Sequence, residues 1–136
     1  MSIEQFVAIS KVKLPSTARL SERMTMLGFE SAIEPADLSS HAGYLPVRFM
    51  GKESGFEWYL DPVGPGGVQP SVDVGERDAV VGLRTGSDAT EAQCSMVCAA
   101  ALMGLADGVY FNDYEAHLTD PDQLISEVQE WLKGSS

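Results

Sequence analysis

The sequence predicts a single α+β domain spanning residues 1–136, in which about three helices pack on one face of a mainly antiparallel sheet. Segments 44–50 and 56–61 alternate apolar and polar residues, the pattern of a half-buried antiparallel hairpin. Three other segments carry helix start signals, and segment 92–106 is almost wholly apolar, as expected for a helix buried in the core. A chain of 136 residues, 44% of them hydrophobic, is sufficient for one such core.

The first third of the chain is predicted to form a strand, a helix and a second, short strand. An apolar run within residues 5–12 suits a central strand. Ser16, or the threonine after it, is a suitable N-cap for a helix that continues to Leu27, where Gly28 supplies the stop signal. Residues 29–33 then suit a short strand, followed by a loop that leads into the hairpin.

The hairpin and the segment after it occupy the middle of the chain. A turn at residues 51–55, with glycine at both ends, joins the two strands. The apolar positions that point inward are Leu45, Val47, Phe49, Phe56, Trp58 and Leu60. Residues 61–78 are rich in proline and glycine and have no periodicity, which predicts a long mobile loop.

The last part of the chain contains the strongest helix signals. A strand at residues 79–84 precedes a helix that opens at Asp88, or at the serine before it, with Glu91 in the capping-box position. A short strand is predicted at residues 108–111, and Asp120 caps a final helix whose first residue is proline. Because all of these elements pack into one unit, no domain boundary is predicted.

Two cysteines, Cys94 and Cys98, lie four residues apart on one face of the predicted core helix. This spacing differs from the C-x-x-C pattern of redox and zinc sites. We therefore interpret both as free thiols packed in the core.

The charge balance narrows the classes of partner. Twenty acidic residues against nine basic ones give a net charge of -11, which repels phosphate backbones and anionic membrane surfaces and attracts basic proteins. The N-terminal residues lack the features of a secretory signal, and the longest apolar stretch, residues 96–106, is too short for a membrane span. We expect a cytoplasmic protein that binds neither nucleic acid nor membrane.

Motifs for catalysis and cofactor binding are weak. The glycines of residues 64–67 lack the lysine and helix start of a phosphate-binding loop, and no serine-nucleophile motif is present. We predict no cofactor and no catalytic residue. Alternate residues Asp113, Glu115 and His117 would share one face of a strand and are weak candidate metal ligands, although such a pattern is more often a solvated strand face.

Acidic residues on the hairpin and the following loop suggest a surface for a basic partner protein. If they gather at one end of the sheet, they form an acidic rim around an exposed aromatic residue such as Tyr44. The predicted partner-binding residues are Glu53, Glu57, Tyr59, Asp61, Asp73, Glu76 and Asp78. The alternative is a solubilising surface without a partner.

The alanines of residues 99–101, the stretch 108–113 and the capped final helix together resemble a pattern in small uncharacterised bacterial α+β proteins. Some of those proteins are similar to immunity partners of bacterial toxins. The resemblance covers the C-terminal third, carries no functional residue onto this chain, and implies a bacterial protein-binding domain.

The sequence therefore predicts a non-enzymatic, immunity-like or inhibitor-like domain that binds a basic protein. One alternative is a small-molecule-binding or hydrolytic enzyme with a pocket between the sheet and residues 44–78, identified by a carboxylate of raised pKa or by clustering at His117. Another is a subunit of a homo-oligomer, which an exposed apolar patch near Trp58 or Trp131 would indicate. The sequence leaves the oligomeric state open.

Overall fold

The computed structural model describes residues 3–112 and 117–134. The strands of this part are β1 Ile3–Ile9, β2 Ser31–Ile33, β3 Gly43–Phe49, β4 Lys52–Pro62, β5 Ala79–Thr85, β6 Val109–Asn112 and β7 His117–Leu118. Its helices are α1 Thr17–Met26, α2 Ala89–Ala106 and α3 Pro121–Gly134, with a short 3₁₀ turn at Lys11–Lys13. The seven strands form one antiparallel sheet in the order β2-β3-β4-β5-β1-β6-β7, which confirms the predicted α+β class.

The core lies between α2 and the face of the sheet that we call the inner face. Helix α2 contacts β1, β4, β5 and β6, while α1 and α3 pack against its two sides. This helix has the length and apolar composition of a membrane span, but 67% of it is buried inside the fold. Burial on most of its surface accounts for its apolar composition. Cys94 and Cys98 are both buried and free, as predicted.

Side-chain caps begin the helices where the sequence predicts them. Ser16 Oγ accepts a hydrogen bond from the backbone N–H of Arg19 at 3.2 Å, at the start of α1. Asp88 Oδ1 accepts one from the N–H of Glu91 at 2.9 Å, at the start of α2. Before α3, Asp120 Oδ1 accepts a bond from the second helical residue at 2.9 Å. These bonds satisfy backbone donors that otherwise have no partner in a helix.

Two predicted boundaries are wrong. The first strand ends at Ile9, and Val12 lies in the 3₁₀ turn with 93% of its surface exposed. The hairpin turn has two residues and not five, because Phe49 pairs directly with Lys52. Met50 and Gly51 adopt φ values of 52° and 79°, the mirror-image turn whose twist matches that of the flanking strands. The residues predicted as turn after Gly51 therefore extend β4.

The opposite face of the sheet, which we call the outer face, is covered at one end by the loop of residues 63–78. Val74 of the loop is buried against Ala8, Val80 and Phe111 on the outer face. Three further valines of the loop pack at the edge of this cluster: Val63, Val68 and Val72. The predicted mobility of the loop stays a prediction. Within the described residues, the helices pack on the inner face, so the rest of the outer face is open to solvent.

Candidate functional site

Charged side chains form a row across three central strands on the open part of the outer face. Arg84 of β5 lies directly opposite Glu57 of β4 and opposite Glu4 of β1. Side chains at directly opposed positions of an antiparallel pair are close enough to interact. The register therefore places the arginine position between two acidic positions on neighbouring strands. Tyr44 of β3 continues the row on the far side of Glu57.

The next row of the outer face is aromatic and has a gap at its centre. Gly82 of β5 lies opposite Tyr59 on one side and Phe6 on the other. The Phe6 ring stacks on Phe111 of β6, with ring centroids 5.2 Å apart. The missing side chain leaves a depression of about 150 Å³, which we call the Gly82 notch. It is lined by Glu4, Phe6, Tyr59, Asp61, Gly82, Leu83 and Arg84.

The backbone does not require glycine at position 82. A Cβ atom placed there would lie 3.8 Å from the Phe6 ring and 3.9 Å from Tyr59 Cβ, which are ordinary van der Waals distances. At Gly108, by contrast, a Cβ atom would lie 2.5 Å from Val7 Cγ1. Gly55 has a φ of 151° and would bring a Cβ atom within 2.6 Å of the Leu45 carbonyl oxygen. Gly82 thus differs from both of these structurally required glycines.

The charges around the notch favour a cation. Glu4, Glu57 and Asp61 contribute three carboxylates and Arg84 contributes one guanidinium, a net charge of -2 over these four residues. Tyr59 Oη donates a hydrogen bond to Glu57 Oε1 at 2.5 Å. This bond raises the pKa of the Tyr59 hydroxyl, while the charge of Arg84 acts in the opposite direction. The Tyr59 hydroxyl is therefore a neutral hydrogen-bond donor, and its bond to Glu57 connects the aromatic row to the charged row.

Of the predicted partner-binding residues, those on β4 share the outer face. Glu57, Tyr59 and Asp61 occupy alternate positions of one strand, and Glu53 lies further along the same face opposite Arg48. Strand β4 pairs with β3 and β5, so these side chains lie inside the sheet and not at its edge. These residues share one face but are spread along the length of β4, so a rim at one end of the sheet stays a prediction.

The predicted residues on the loop are placed differently. Asp78 Oδ1 accepts a hydrogen bond from the N–H of Lys11 at 2.8 Å. Together with Asp61, it borders a second depression of about 320 Å³. Asp73 Oδ1 accepts a bond from the N–H of Gly75 at 2.9 Å, which stabilises a local turn. Asp73 and Glu76 are exposed and do not line the Gly82 notch.

Tyr44, predicted as an exposed aromatic residue of the rim, keeps 51% of its surface exposed. Its hydroxyl donates a hydrogen bond to the Ser54 carbonyl at 2.9 Å and reaches Glu91 Oε2 at 3.4 Å. Partial burial and the charge of Glu91 raise the pKa of this hydroxyl. Its ring lies over Gly55, where a Cβ atom would be 2.5 Å from Tyr44 Oη. Tyr44 thus links the outer face to the start of α2.

Sequence reasoning missed five residues of the notch: Glu4, Phe6, Gly82, Leu83 and Arg84. Glu4 and Phe6 alternate with the buried Gln5 and Val7, so the pattern of a strand with two different faces was present in the sequence. A glycine inside a strand also indicates a bulge or a close approach. The missing information was the strand order, which brings β1 and β4 to opposite sides of β5.

The weak metal candidates receive no support from the described residues. Asp113 and Glu115 lie outside the described residues, and His117 is exposed opposite Phe111. Within residues 3–112 and 117–134, no three or more His, Cys, Asp or Glu side chains are grouped as metal ligands would be. Burial raises the pKa of both the Cys94 and Cys98 thiols, which disfavours the nucleophilic thiolate.

The features that would favour the alternatives are also placed by the structure. Trp58 is fully buried and donates a hydrogen bond to the Leu38 carbonyl at 3.0 Å, while Trp131 is 37% exposed. The region of residues 44–78 contains an open depression of about 480 Å³, bordered by Tyr44, Pro46, Val47, Glu53 and Ser54. Neither histidine lines it. The enzyme and oligomer hypotheses stay predictions.

Comparison with known proteins adds no assignment, since no protein-family model matches the chain and no curated protein is significantly similar to it.

Proposed function

We propose that this domain binds a basic protein through the open part of the outer face. The observation that carries the proposal is the position of the Gly82 notch, an aromatic depression bordered by Glu4, Asp61 and Arg84. It lies on a sheet face that the described helices leave open. Small docking surfaces of this kind combine an aromatic centre with a polar rim. The proposed role is that of an inhibitor or immunity partner, as the resemblance of the C-terminal third implies.

Electrostatics support a basic partner. The net charge of -11 attracts a positively charged protein over a distance, and the carboxylates of the outer face then select its orientation. Exposed carboxylates act mainly on the association rate and are screened by salt. Binding should therefore weaken as the ionic strength rises.

Charge reversal on two different faces of the molecule tests the proposal. Three tagged proteins are used as baits in lysate of the source organism, at low and at high salt: the wild type, Glu57→Lys/Asp61→Lys on the outer face, and Glu22→Lys/Glu127→Lys on α1 and α3. Glu22 and Glu127 are exposed, so the control changes the net charge by the same amount away from the notch. Circular dichroism verifies that all three proteins fold.

We expect a basic protein to be captured by the wild type and by the helix-face control at low salt. The outer-face variant should lose it, and so should the wild type at high salt. A partner that the outer-face variant retains would contradict the proposal, and so would the absence of any enriched basic protein. A further variant with lysine in place of Glu57, Asp73 and Glu76 tests whether the acidic residues of the loop contribute to binding.

A further inference from the structure

We infer that the Gly82 notch is the subsite for one arginine side chain of the partner protein. This inference rests on the proposed function, because it names the group that the docking surface would accept. It assigns a role to Gly82, a central-strand glycine that neither a positive φ nor crowding by neighbouring atoms explains.

The shape of the notch suits a single side chain. Gly82 lies in the middle of β5, with paired strands on both sides, so the gap is bounded by the side chains of β1 and β4. Its volume of about 150 Å³ is below the roughly 300–1,000 Å³ of pockets that hold drug-sized ligands. A side chain that projects from a partner protein is therefore a better match than a free ligand.

The walls suit a flat cation. The Phe6 ring is stacked on Phe111, and its Cδ1–Cε1 edge is the part of the ring nearest to Gly82. Tyr59 forms the opposite wall, and its hydroxyl is held by Glu57. A guanidinium group stacks on aromatic rings and is less strongly hydrated than an ammonium group. Arginine therefore fits these walls better than lysine does.

The carboxylates are placed to hold the guanidinium group after it enters. Arg84 lies between Glu57 and Glu4, so part of their charge is directed to a residue of the domain itself. Asp61 borders the notch from the β4 side, and its register partner on β5 is Val80, an apolar residue. Asp61 is therefore the carboxylate best placed to accept hydrogen bonds from an incoming arginine. An acidic partner side chain would instead meet a net charge of -2 over Glu4, Glu57, Asp61 and Arg84.

Two glycine variants separate the notch from the rest of the surface. Gly82→Ala places a methyl group between Phe6 and Tyr59 at contact distances that the fold tolerates. Gly86→Ala is the matched control, because a Cβ atom there meets nothing within 4 Å and its φ is not positive. The probes are N-acetyl-arginine methylamide and the citrulline analogue, which keeps the shape of arginine without its charge.

Titration of ¹⁵N-labelled protein with each probe is followed by amide chemical shifts. We expect saturable shifts at Phe6, Tyr59 and Gly82 with the arginine probe and about tenfold weaker binding of citrulline, within the range of a desolvated cation–π contact. Gly86→Ala should bind like the wild type, and Gly82→Ala should lose the shifts. Absent shifts in the wild type, equal binding of both probes, or an unchanged titration of Gly82→Ala would overturn the inference.

The same variants distinguish this inference from the proposed function. A Gly82→Ala bait that still captures the partner, when Glu57→Lys/Asp61→Lys does not, would overturn the arginine subsite and leave the docking surface standing. Saturable binding of the arginine probe with no captured protein in any bait would support the subsite and contradict the protein partner.

Discussion

Neighbouring residues of β4 lie on opposite faces of the sheet and in different surroundings. Phe56 and Trp58 are fully buried on the inner face, while Glu57 and Tyr59, next to them in the chain, lie on the outer face. The inner face is packed against α2, and changes of side-chain volume in such a close-packed core lower stability. The outer face carries charges, aromatic rings and a glycine that packing does not demand. Under the proposed function, the inner face provides stability and the outer face provides recognition.

The largest expected difference between the faces is at neighbouring aromatic residues. Trp58→Ala removes a fully buried side chain and its hydrogen bond to Leu38, and should lower the free energy of unfolding by about 3–5 kcal/mol. Tyr59→Ala should cause a much smaller loss, because its ring borders solvent. Urea unfolding followed by circular dichroism measures both. Equal losses for the two variants would remove the distinction between the faces.

Alkaline pH should lower the free energy of unfolding through the two buried thiols of α2. Burial holds the pKa of the Cys94 and Cys98 thiols above their ordinary value of 9.0, so the unfolded chain loses these protons first. The unfolded state then binds fewer protons, and the free energy of unfolding falls as the pH rises above about 9, by about 1.4 kcal/mol per pH unit for each thiol. This stabilising contribution is fully present below pH 9.

The double variant Cys94→Ala/Cys98→Ala tests this prediction. The informative quantity is the slope of the free energy of unfolding against pH, and not its value at one pH. The double variant should have a shallower slope between pH 8 and 10 in urea unfolding experiments. Tyr110, whose pKa burial raises from 10.0 to about 12, should add a slope of its own only above about pH 10, outside this window. An unchanged slope would show that the thiols are not protected from ionisation by the fold.

A buried polar network on the inner face should contribute less to the free energy of unfolding than the buried aromatic side chains do. Tyr110 Oη donates a hydrogen bond to Gln5 Oε1 at 2.8 Å, and Gln5 Nε2 donates one to Ser95 Oγ of α2 at 2.5 Å. Tyr110→Phe removes the donor to a buried acceptor and should cost about 1–2 kcal/mol. Tyr59→Phe, which removes the hydroxyl bound to Glu57 on the outer face, is the control and should cost less. Thermal unfolding of both variants checks this order.

Substitution of Gly82 should cause the smallest change in stability. The sign of that change shows whether packing requires this glycine. Glycine in a strand interior costs about 0.5–1 kcal/mol relative to alanine, so Gly82→Ala should leave stability unchanged or raise it by up to this amount. Gly108→Ala should lower stability, because its methyl group would overlap Val7. Melting temperatures of the two variants are compared directly. A marked loss in Gly82→Ala would mean that this glycine serves packing after all.

Local patterns in the sequence predicted the inner face better than the outer face. The capping residues Ser16 and Asp88 and the apolar alternation on the hairpin determine their elements through neighbours a few residues away, and the structure confirms them. The two-residue turn was missed because Met50 adopts a positive φ, which residues other than glycine rarely adopt.

The outer-face site depends on contacts that are distant in sequence. Glu57 and Tyr59 were predicted from the hairpin alone, but Phe6 and Gly82 join them only through the order of the strands. Antiparallel pairing of β1 with β5 links residues about eighty positions apart, and no local pattern specifies that pairing. For this reason the acidic residues could be proposed from the sequence, whereas the notch between them could not.

Chemical-shift mapping with the captured partner tests the central claim, that recognition belongs to the outer face, most directly. Unlabelled partner is added to ¹⁵N-labelled protein, and the perturbed amides are mapped on the structure. The account predicts that the largest changes occur at Phe6, Glu57, Tyr59, Gly82 and Arg84, with none at the exposed Glu22 of α1 or Glu127 of α3. Changes concentrated on α1 and α3, with the outer face unperturbed, would contradict it.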